Sequence, residues 1–223
     1  MRVLPDGRID WLVSFAPRTG RLRSQLFGAK TRALVVRDDE PVENLAVRIA
    51  PGGFRALFGE RAELLTDRAP DTQEVLGAVA RELAQRLADA PDLVTRARLV
   101  ETELLARAAR AEPALLAREA ARRIEASGGR LAIAALAGAL GVGERRLERV
   151  FRADCGLAPK VFARIARLQR ALGRLRGASA AAVAADAGYA DQAHLARECA
   201  ALAGAPPRVV LSEIFKREVA DAG

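Results

Sequence analysis

Two stretches of this chain carry the same pattern and decide its fold: LAGALGVGERRLERVF at residues 136–151, and VAADAGYADQAHLAREC at residues 183–199. In each stretch an alanine precedes a glycine by four residues. The pairs are Ala137 with Gly141 and Ala184 with Gly188. The alanine lets two helices cross closely, and the glycine tolerates the left-handed backbone of a tight turn. We therefore predict two helix-turn-helix units.

The similarity of the two units continues into the residues that follow them. Gly156 and Pro159 follow the first unit, and Gly204 and Pro207 stand 48 residues further along the chain. The turn glycines are 47 residues apart, so we expect one extra residue in the second turn. Glycine ends a helix in the left-handed conformation and a proline soon after prevents its continuation, so both units are predicted to end at these glycines.

Residues 128–212 resemble the DNA-binding domain of the AraC/XylS family of bacterial transcription regulators. In that family a long helix with an Arg-Leu-x-x-Ala-x-x-Leu pattern joins two helix-turn-helix motifs, and residues 167–175 fit this pattern. The run at 188–197 resembles the family's second motif. Cys199 departs from the family, which usually has a large aromatic residue there, whereas the first unit keeps Phe151. The resemblance implies binding to double-stranded DNA and contact with RNA polymerase.

The distribution of charge supports nucleic-acid binding. The chain has 36 basic and 28 acidic residues, a net charge of +8. Residues 143–176 alone hold 10 basic and 3 acidic residues, a net charge of +7. A basic stripe of this kind is typical of phosphate binding, although a solvated helix face gives the same count. Because the stripe coincides with the helix-turn-helix units, we favour DNA.

Other chemistries find no support in the sequence. Cys155, Cys199 and His194 are the chain's complement of cysteine and histidine, and a structural zinc site needs about four such ligands. Phosphate-binding and dinucleotide-binding glycine motifs are absent, and no nucleophile–base pair stands out. We expect no enzymatic activity, no cofactor and no metal. Because signal peptides and long apolar runs are also absent, we expect buried thiols, no membrane contact and a cytoplasmic location.

The N-terminal half combines strand and helix patterns. Apolar runs with loose alternation, bounded by turn residues, predict strands. They lie at 9–15, 32–37 and 45–49. A helical pattern begins at Gly53. Asp71 or Thr72 is expected to cap a helix to about Ala88, and two more helices are expected at 92–110 and 113–127. The inward face of the capped helix is predicted from four-residue spacing. It comprises Val75, Val79, Leu83 and Leu87.

The fold class predicted from these patterns is α+β. Residues 1–127 form a small β-containing domain with helices, and residues 128–223 form an all-helical domain with both helix-turn-helix units. Gly128–Gly129 is interpreted as the hinge. Several segments resemble a small β-containing domain that precedes some AraC-type DNA-binding domains. They are LPDG (4–7), Asp10, Gly28, Thr31–Arg32, Val47–Arg48, Pro51–Gly52–Gly53 and Leu65–Thr66–Asp67–Arg68.

This resemblance implies a module that senses a small-molecule effector or forms a homodimer. Asp6, Asp10 and Arg48 are candidates for a polar site, with structural salt bridges as the commoner explanation. In similar domains further sequence precedes LPDG, so we expect a missing strand or an upstream start. Either would leave an unpaired sheet edge, which favours dimerisation or lowers stability.

The first unit's reading helix is predicted to begin near Gly143. Leu147 and Val150–Phe151 face the core, which leaves the candidate DNA-binding residues outward: Arg145, Arg146, Arg149 and Arg152. Arginine can grip guanine O6 and N7 near the N-terminus of such a helix. Glu144 can cap the helix, accept a bond from cytosine or hold an arginine. A surface network of Glu144, Glu148 and arginine is the structural alternative.

In the second unit Leu195 is predicted to pack inward and Asp191 to cap the reading helix. Gln192 can bond adenine through N6 and N7, and Arg197 is assigned to a phosphate. His194 reaches a phosphate or a base, or else lies partly buried against the linker helix. Arg167 in the linker helix is assigned to structural hydrogen bonds.

These observations predict a sequence-specific transcription regulator that reads two adjacent major-groove segments and is modulated by its N-terminal domain. Two rivals belong to other classes. The first is an interaction module that has lost DNA binding and pairs with another regulator. The second is an alkyl-transfer enzyme fused to a DNA-binding domain, which needs an activated thiolate.

Overall fold

The computed structural model describes residues 2–36 and 41–221, except for the side chains of 215–221. The α+β class predicted from the sequence is confirmed. The strands are β1 (Arg2–Val3), β2 (Ile9–Ala16), β3 (Arg21–Phe27), β4 (Leu34–Val35) and β5 (Glu43–Ile49). The predicted strand at 32–37 is therefore shorter than expected, and its last residue, Arg37, lies outside the described residues.

Helices dominate the rest of the chain. Those before the first turn glycine are α1 (Gly53–Phe58), a 3₁₀ helix (Ala62–Leu65), α2 (Thr72–Asp89), α3 (Leu93–Ala108), α4 (Leu115–Ala126) and α5 (Ile133–Ala139). Those after it are α6 (Glu144–Cys155), α7 (Pro159–Arg174), α8 (Ala180–Ala187), α9 (Gln192–Ala203) and α10 (Pro207–Asp221).

The sheet is antiparallel, with β2 between β3 and β5, while β1 and β4 form a separate two-stranded ladder. Strand β3 was missed by the sequence prediction. Its inward position at Ser24 is polar, which breaks the apolar alternation that marks a half-buried strand. The burial of Ser24 is compensated because its hydroxyl accepts a hydrogen bond from Trp11 Nε1 at 2.9 Å and bonds Thr72 Oγ1 at 2.8 Å.

Helix α2 confirms the predicted cap but corrects the predicted inward face. The Asp71 carboxylate accepts from the Gln73 backbone N–H. Val79 is exposed, contrary to its assignment to the core. The reason is Gly77, whose φ of 62° and ψ of −134° interrupt the helix and shift the register of its faces. Ala80 is buried in place of Val79.

Both helix-turn-helix units form as predicted. The first comprises α5 and α6, and the second comprises α8 and α9. Gly141 lies three residues before α6, whereas Gly188 lies four residues before α9, so the second turn does carry the extra residue. Gly188 and Gly204 cap their helices in the left-handed conformation. Pro159 occupies the first turn of α7, where its missing N–H costs no hydrogen bond.

The buried side chains form one contiguous cluster that runs from the sheet through both helix-turn-helix units. Helix α4 packs against α6 and α7. Gly128 and Gly129, both with positive φ, make the turn after α4. A Cβ on Gly129 would lie 2.0 Å from the backbone oxygen of Ala163 in α7, so glycine is required there for close approach. The pair predicted as a hinge is thus a turn packed against α7.

Arg48 joins β5 to β2 and to the preceding turn. Its Nε lies 3.0 Å from Asp10 Oδ1, and its Nη1 lies 3.2 Å from Asp6 Oδ2. These three residues therefore make the salt bridges that were the commoner interpretation of their pattern. Across the described segments, no helix has both the length and the apolar composition required to cross a membrane.

Candidate DNA interface

Helix α6 presents an apolar face to the core and a basic face outward. Leu147 and Phe151 are fully buried, and Val150 is half-buried. The residues predicted to face outward are all exposed. They are Glu144, Arg145, Arg146, Glu148, Arg149 and Arg152. The spacing of the buried residues therefore fixes which side of α6 is available to a partner.

The outward arginines of α6 differ in their local partners. Arg152 Nη2 donates to Glu148 Oε1 at 2.8 Å, one turn apart. This pair is the part of the alternative surface network that forms. Within residues 2–36 and 41–214, Arg145, Arg146 and Arg149 make no side-chain hydrogen bond or ion pair. Their donors are therefore available to phosphate or to base edges.

A shallow cleft separates α6 from the 3₁₀ helix of the N-terminal half. Its lining consists of Arg61, Glu63, Arg145, Glu148, Arg149 and Arg152. Arg61 and Glu63 form an ion pair beside the basic face of α6. Sequence reasoning missed these two residues because nothing in their local pattern indicates contact with a helix about eighty positions further along the chain.

Helix α9 begins as predicted. The Asp191 carboxylate accepts from the His194 backbone N–H at 2.6 Å, and Leu195 is buried. Gln192 and Arg197 are exposed. His194 is half-buried. Its Nδ1 accepts from the Ala190 backbone N–H at 3.3 Å, and its ring meets the Tyr189 ring edge-on at 5.3 Å.

Cys199 of α9 occupies the position at which the sequence comparison led us to expect a large aromatic residue. The thiol is fully buried and donates to the Ala205 carbonyl at 3.3 Å. Cys155 in α6 is also buried, and both cysteines are free, as predicted. Burial raises the pKa of Cys155 far above its ordinary value and that of Cys199 to about 11. Burial thus disfavours, at both cysteines, the thiolate that alkyl transfer requires.

Helix α7 connects the two units through ion pairs. Arg164 grips Glu198 of α9 with two hydrogen bonds of 2.7 and 2.9 Å. Because Arg164 donates to it, the pKa of Glu198 lies below its ordinary value. Arg174 pairs with Asp186 of α8. These contacts hold α8 and α9 in a defined orientation relative to α7.

Arg167 has the structural role that was assigned to it. Its Nη2 donates to the Gly129 carbonyl at 2.8 Å, and its guanidinium lies 5.7 Å from the centre of the Tyr189 ring. The linker helix is thus bonded to the turn before α5 and packed on the turn of the second unit.

The N-terminal half touches the first unit at the C-terminal end of α6. Nη1 of Arg55 in α1 lies 3.1 Å from Oδ1 of Asp154, whose side chain is only 7% exposed. The Thr66 hydroxyl donates to the Gly156 carbonyl, and the Gly52 backbone N–H bonds Cys155. The last turn of α6 is therefore held by the segment that surrounds α1.

The N-terminal half also contacts the linker helix and the second unit. Gln169 of α7 donates to the Pro5 carbonyl at 2.7 Å. Arg2 donates to the Ala203 carbonyl at 2.9 Å, at the end of α9. The Ala33 backbone N–H donates to the Leu202 carbonyl at 2.7 Å. Both reading helices are thus contacted by the first 66 residues.

Comparison with known proteins gives two family matches, one near each end of the chain. A family described as a helix-turn-helix domain matches residues 136–213, and a domain of unknown function (DUF6597) matches residues 1–71. No curated protein matches significantly. The crystal structure of ToxT from Vibrio cholerae O395 is 12% identical, with a TM-score of 0.45, and the match covers 95% of this chain and 92% of that chain. Residues 136–213 therefore form a helix-turn-helix domain of the AraC type.

Proposed function

We propose that the chain recognises a specific operator by placing α6 and α9 in two successive major-groove segments of one DNA face. The observation that carries this proposal is the basic outward face of α6, three of whose arginines have no side-chain partner among the described residues. The ion pairs of α7 with α8 and α9 support it, because they preset the orientation of the second unit. Preset geometry lowers the entropic cost of engaging both segments.

The residues take different roles in this proposal. Arg145, Arg146 and Arg149 read bases from α6, and Gln192 reads bases from α9. Arg152 and Arg197 contact phosphate, which fixes register without reading sequence. His194 is half-buried, so it contacts DNA through the exposed edge of its ring.

The regulatory context of the protein is part of the same proposal. DNA binding is modulated by the N-terminal domain, through an effector or through a homodimer, and RNA polymerase is the downstream partner in a cytoplasmic setting. A division at residues 127 and 128 was the sequence-based expectation. Helix α4 buries its apolar face against α6 and α7, which favours assigning α4 to the DNA-binding domain.

The first test measures the salt dependence of binding to duplex DNA by fluorescence anisotropy. Several phosphate contacts should weaken binding about tenfold or more between roughly 50 and 200 mM salt. A flat response, or no binding to any duplex at low salt, would favour the rival interaction module that pairs with another regulator. Native-state thiol labelling tests the alkyl-transfer rival, since both cysteines should react only after unfolding.

The second test separates base reading from phosphate contact. Arg146→Ala should cost about 1–3 kcal/mol on an operator selected from random duplexes and relax the preference at one or two base pairs. Arg86→Ala is the matched control, because Arg86 is exposed on α2 and has no side-chain partner in the described part of the chain. Equal losses on the selected and random duplexes would remove Arg146 from the base-reading set.

A further inference from the structure

The cleft between α6 and the 3₁₀ helix carries an excess of positive charge. All six described side chains of its lining are charged, four of them arginine and two glutamate. Each glutamate is paired with an arginine of the same lining. The pairs are Arg61–Glu63 and Arg152–Glu148. The two remaining arginines, Arg145 and Arg149, have no side-chain hydrogen bond or ion pair among the described residues. The uncompensated charge of the cleft is therefore positive, which favours a polyanion.

The cleft opens on the side of α6 that is proposed to face DNA. The arginines of α6 in its lining recur at four- and three-residue spacing, so they share one side of the helix. They are Arg145, Arg149 and Arg152. Arg145 and Arg149 also belong to the proposed base-reading set. Because the major groove is only about 12 Å wide, a helix that lies in it is flanked by the phosphates of both strands. The 3₁₀ helix beside α6 therefore faces one of these rows of phosphates.

The backbone of Arg61 is anchored to the C-terminal end of α6. Arg61 is the N-cap residue of the 3₁₀ helix, in which Ala62 and Leu65 are buried. The Ala62 carbonyl lies close to Gly156, where a Cβ would approach its oxygen to 3.1 Å. The hydroxyl of Thr66, which follows the helix, donates to the Gly156 carbonyl. The position of Arg61 relative to α6 is therefore fixed by packing and by a hydrogen bond.

The guanidinium of Arg61 is available to a second partner. Its side chain is 55% exposed, whereas that of Glu63 is 24% exposed, so the arginine is the outer member of the pair. The contact joins Nη2 of Arg61 to Oε1 of Glu63. A guanidinium has further N–H donors, and phosphate is an anion that it binds strongly. Arg61 can therefore keep Glu63 and also donate to a phosphate oxygen.

We propose that Arg61 bonds a DNA phosphate beside the major-groove segment that α6 enters, so that the N-terminal half is itself part of the DNA interface. This inference rests on the proposed function, because it requires α6 to lie in the groove. The contact fixes the position of the protein on DNA and carries no base preference.

The contact is tested by fluorescence anisotropy on the full chain, with Glu63→Gln as the starting protein. Removing this glutamate first prevents a freed carboxylate from repelling DNA when Arg61 is replaced. In this background Arg61→Gln should weaken binding about fivefold, equally on the selected operator and on random duplexes. It should also reduce the slope of log Kd against log salt by about 1. Arg61→Lys should bind within about twofold of the starting protein, because it keeps the positive charge.

Arg18→Gln in the same background is the matched control. It removes the same charge from the exposed turn between β2 and β3, and should change the Kd by less than about twofold. An effect of Arg61→Gln no larger than that of Arg18→Gln would overturn the inference. Tighter binding by Arg61→Gln would also overturn it, since the 3₁₀ helix would then obstruct α6. Arg61→Ser, a favourable residue at a helix N-cap, replaces Arg61→Gln if that variant fails to fold by circular dichroism.

A second measurement locates the phosphate on the selected operator. Its phosphates are replaced one at a time by uncharged methylphosphonates. At one position beside the segment that α6 enters, the replacement should weaken the natural protein about fivefold and leave Arg61→Gln nearly unchanged. If every position weakens both proteins equally, Arg61 makes no direct contact. If the natural protein binds no duplex at low salt, the proposed function fails as well. If duplexes bind and Arg61→Gln matches its control, only the contact of Arg61 with DNA is refuted.

Discussion

The ion pair between Arg55 and Asp154 offers a direct measure of how strongly the N-terminal half supports the reading helix α6. Asp154 is nearly buried, whereas the side chain of Arg55 is 50% exposed, and the two are 3.1 Å apart. Arg55→Gln leaves the Asp154 carboxylate buried without its cation. Breaking a fully buried pair costs about 3–5 kcal/mol, and breaking an exposed pair costs about 0–1 kcal/mol. Because only one partner is buried, we expect a loss of about 2 kcal/mol in the free energy of unfolding.

The assay is urea denaturation followed by far-ultraviolet circular dichroism, in a double-mutant cycle with Asp154→Asn. Once Asp154 is neutral, Arg55→Gln should cost less than about 0.5 kcal/mol, which gives a coupling of about 1.5 kcal/mol. Arg18→Gln, in the exposed turn between β2 and β3, is the control and should change stability by less than about 0.5 kcal/mol. If Arg55→Gln costs the same in both backgrounds, the pair does not couple α1 to α6 and the reasoning is wrong.

Three further outcomes are expected. Gly129→Ala should destabilise the protein by at least about 2 kcal/mol more than Gly141→Ala, because both have positive φ but only Gly129 faces a backbone oxygen at 2.0 Å. Equal losses in urea denaturation would contradict this. Two arginines of α4 hold the pKa of Glu119 at about 2 instead of 4.5, so it adds stability above pH 4.5 that is lost towards pH 2. Glu119→Gln should therefore lower the melting temperature at neutral pH and match the natural protein near pH 2, and a constant offset at all pH values would exclude this linkage. Glu63→Gln removes a negative charge from the cleft beside α6, so DNA affinity at low salt should rise about threefold. This gain should shrink as salt is added. If affinity does not rise at low salt, Glu63 lies too far from the bound DNA to influence it.

The helix-turn-helix units were predictable because their determinants are local. A left-handed glycine, a capping aspartate and a proline in a first helical turn act through neighbouring backbone groups. Gly188, Asp191 and Pro159 each have the role that their sequence context indicates. The buried face of α6 follows from the same local logic, since helical periodicity alone separates Leu147 from Arg146.

Errors arose where a local pattern was overridden or hidden. Gly77 is an ordinary small residue in the sequence, yet its backbone conformation breaks α2 and moves Val79 out of the core. Strand β3 was missed because a serine at its inward position 24 resembles a turn residue in the sequence. Only the hydrogen bonds of Ser24 to Trp11 and Thr72 make its burial favourable.

The sequence by itself determined the two helix-turn-helix turns, the second helix of each unit and the sides of those helices that face outward, because short-range backbone chemistry and periodicity encode all three. Tertiary structure alone decided that Arg61 and Glu63 lie beside α6 and that Arg55 pairs with Asp154. These contacts join residues far apart in the chain. They depend on how whole elements pack, and no local spacing records which distant surfaces will meet.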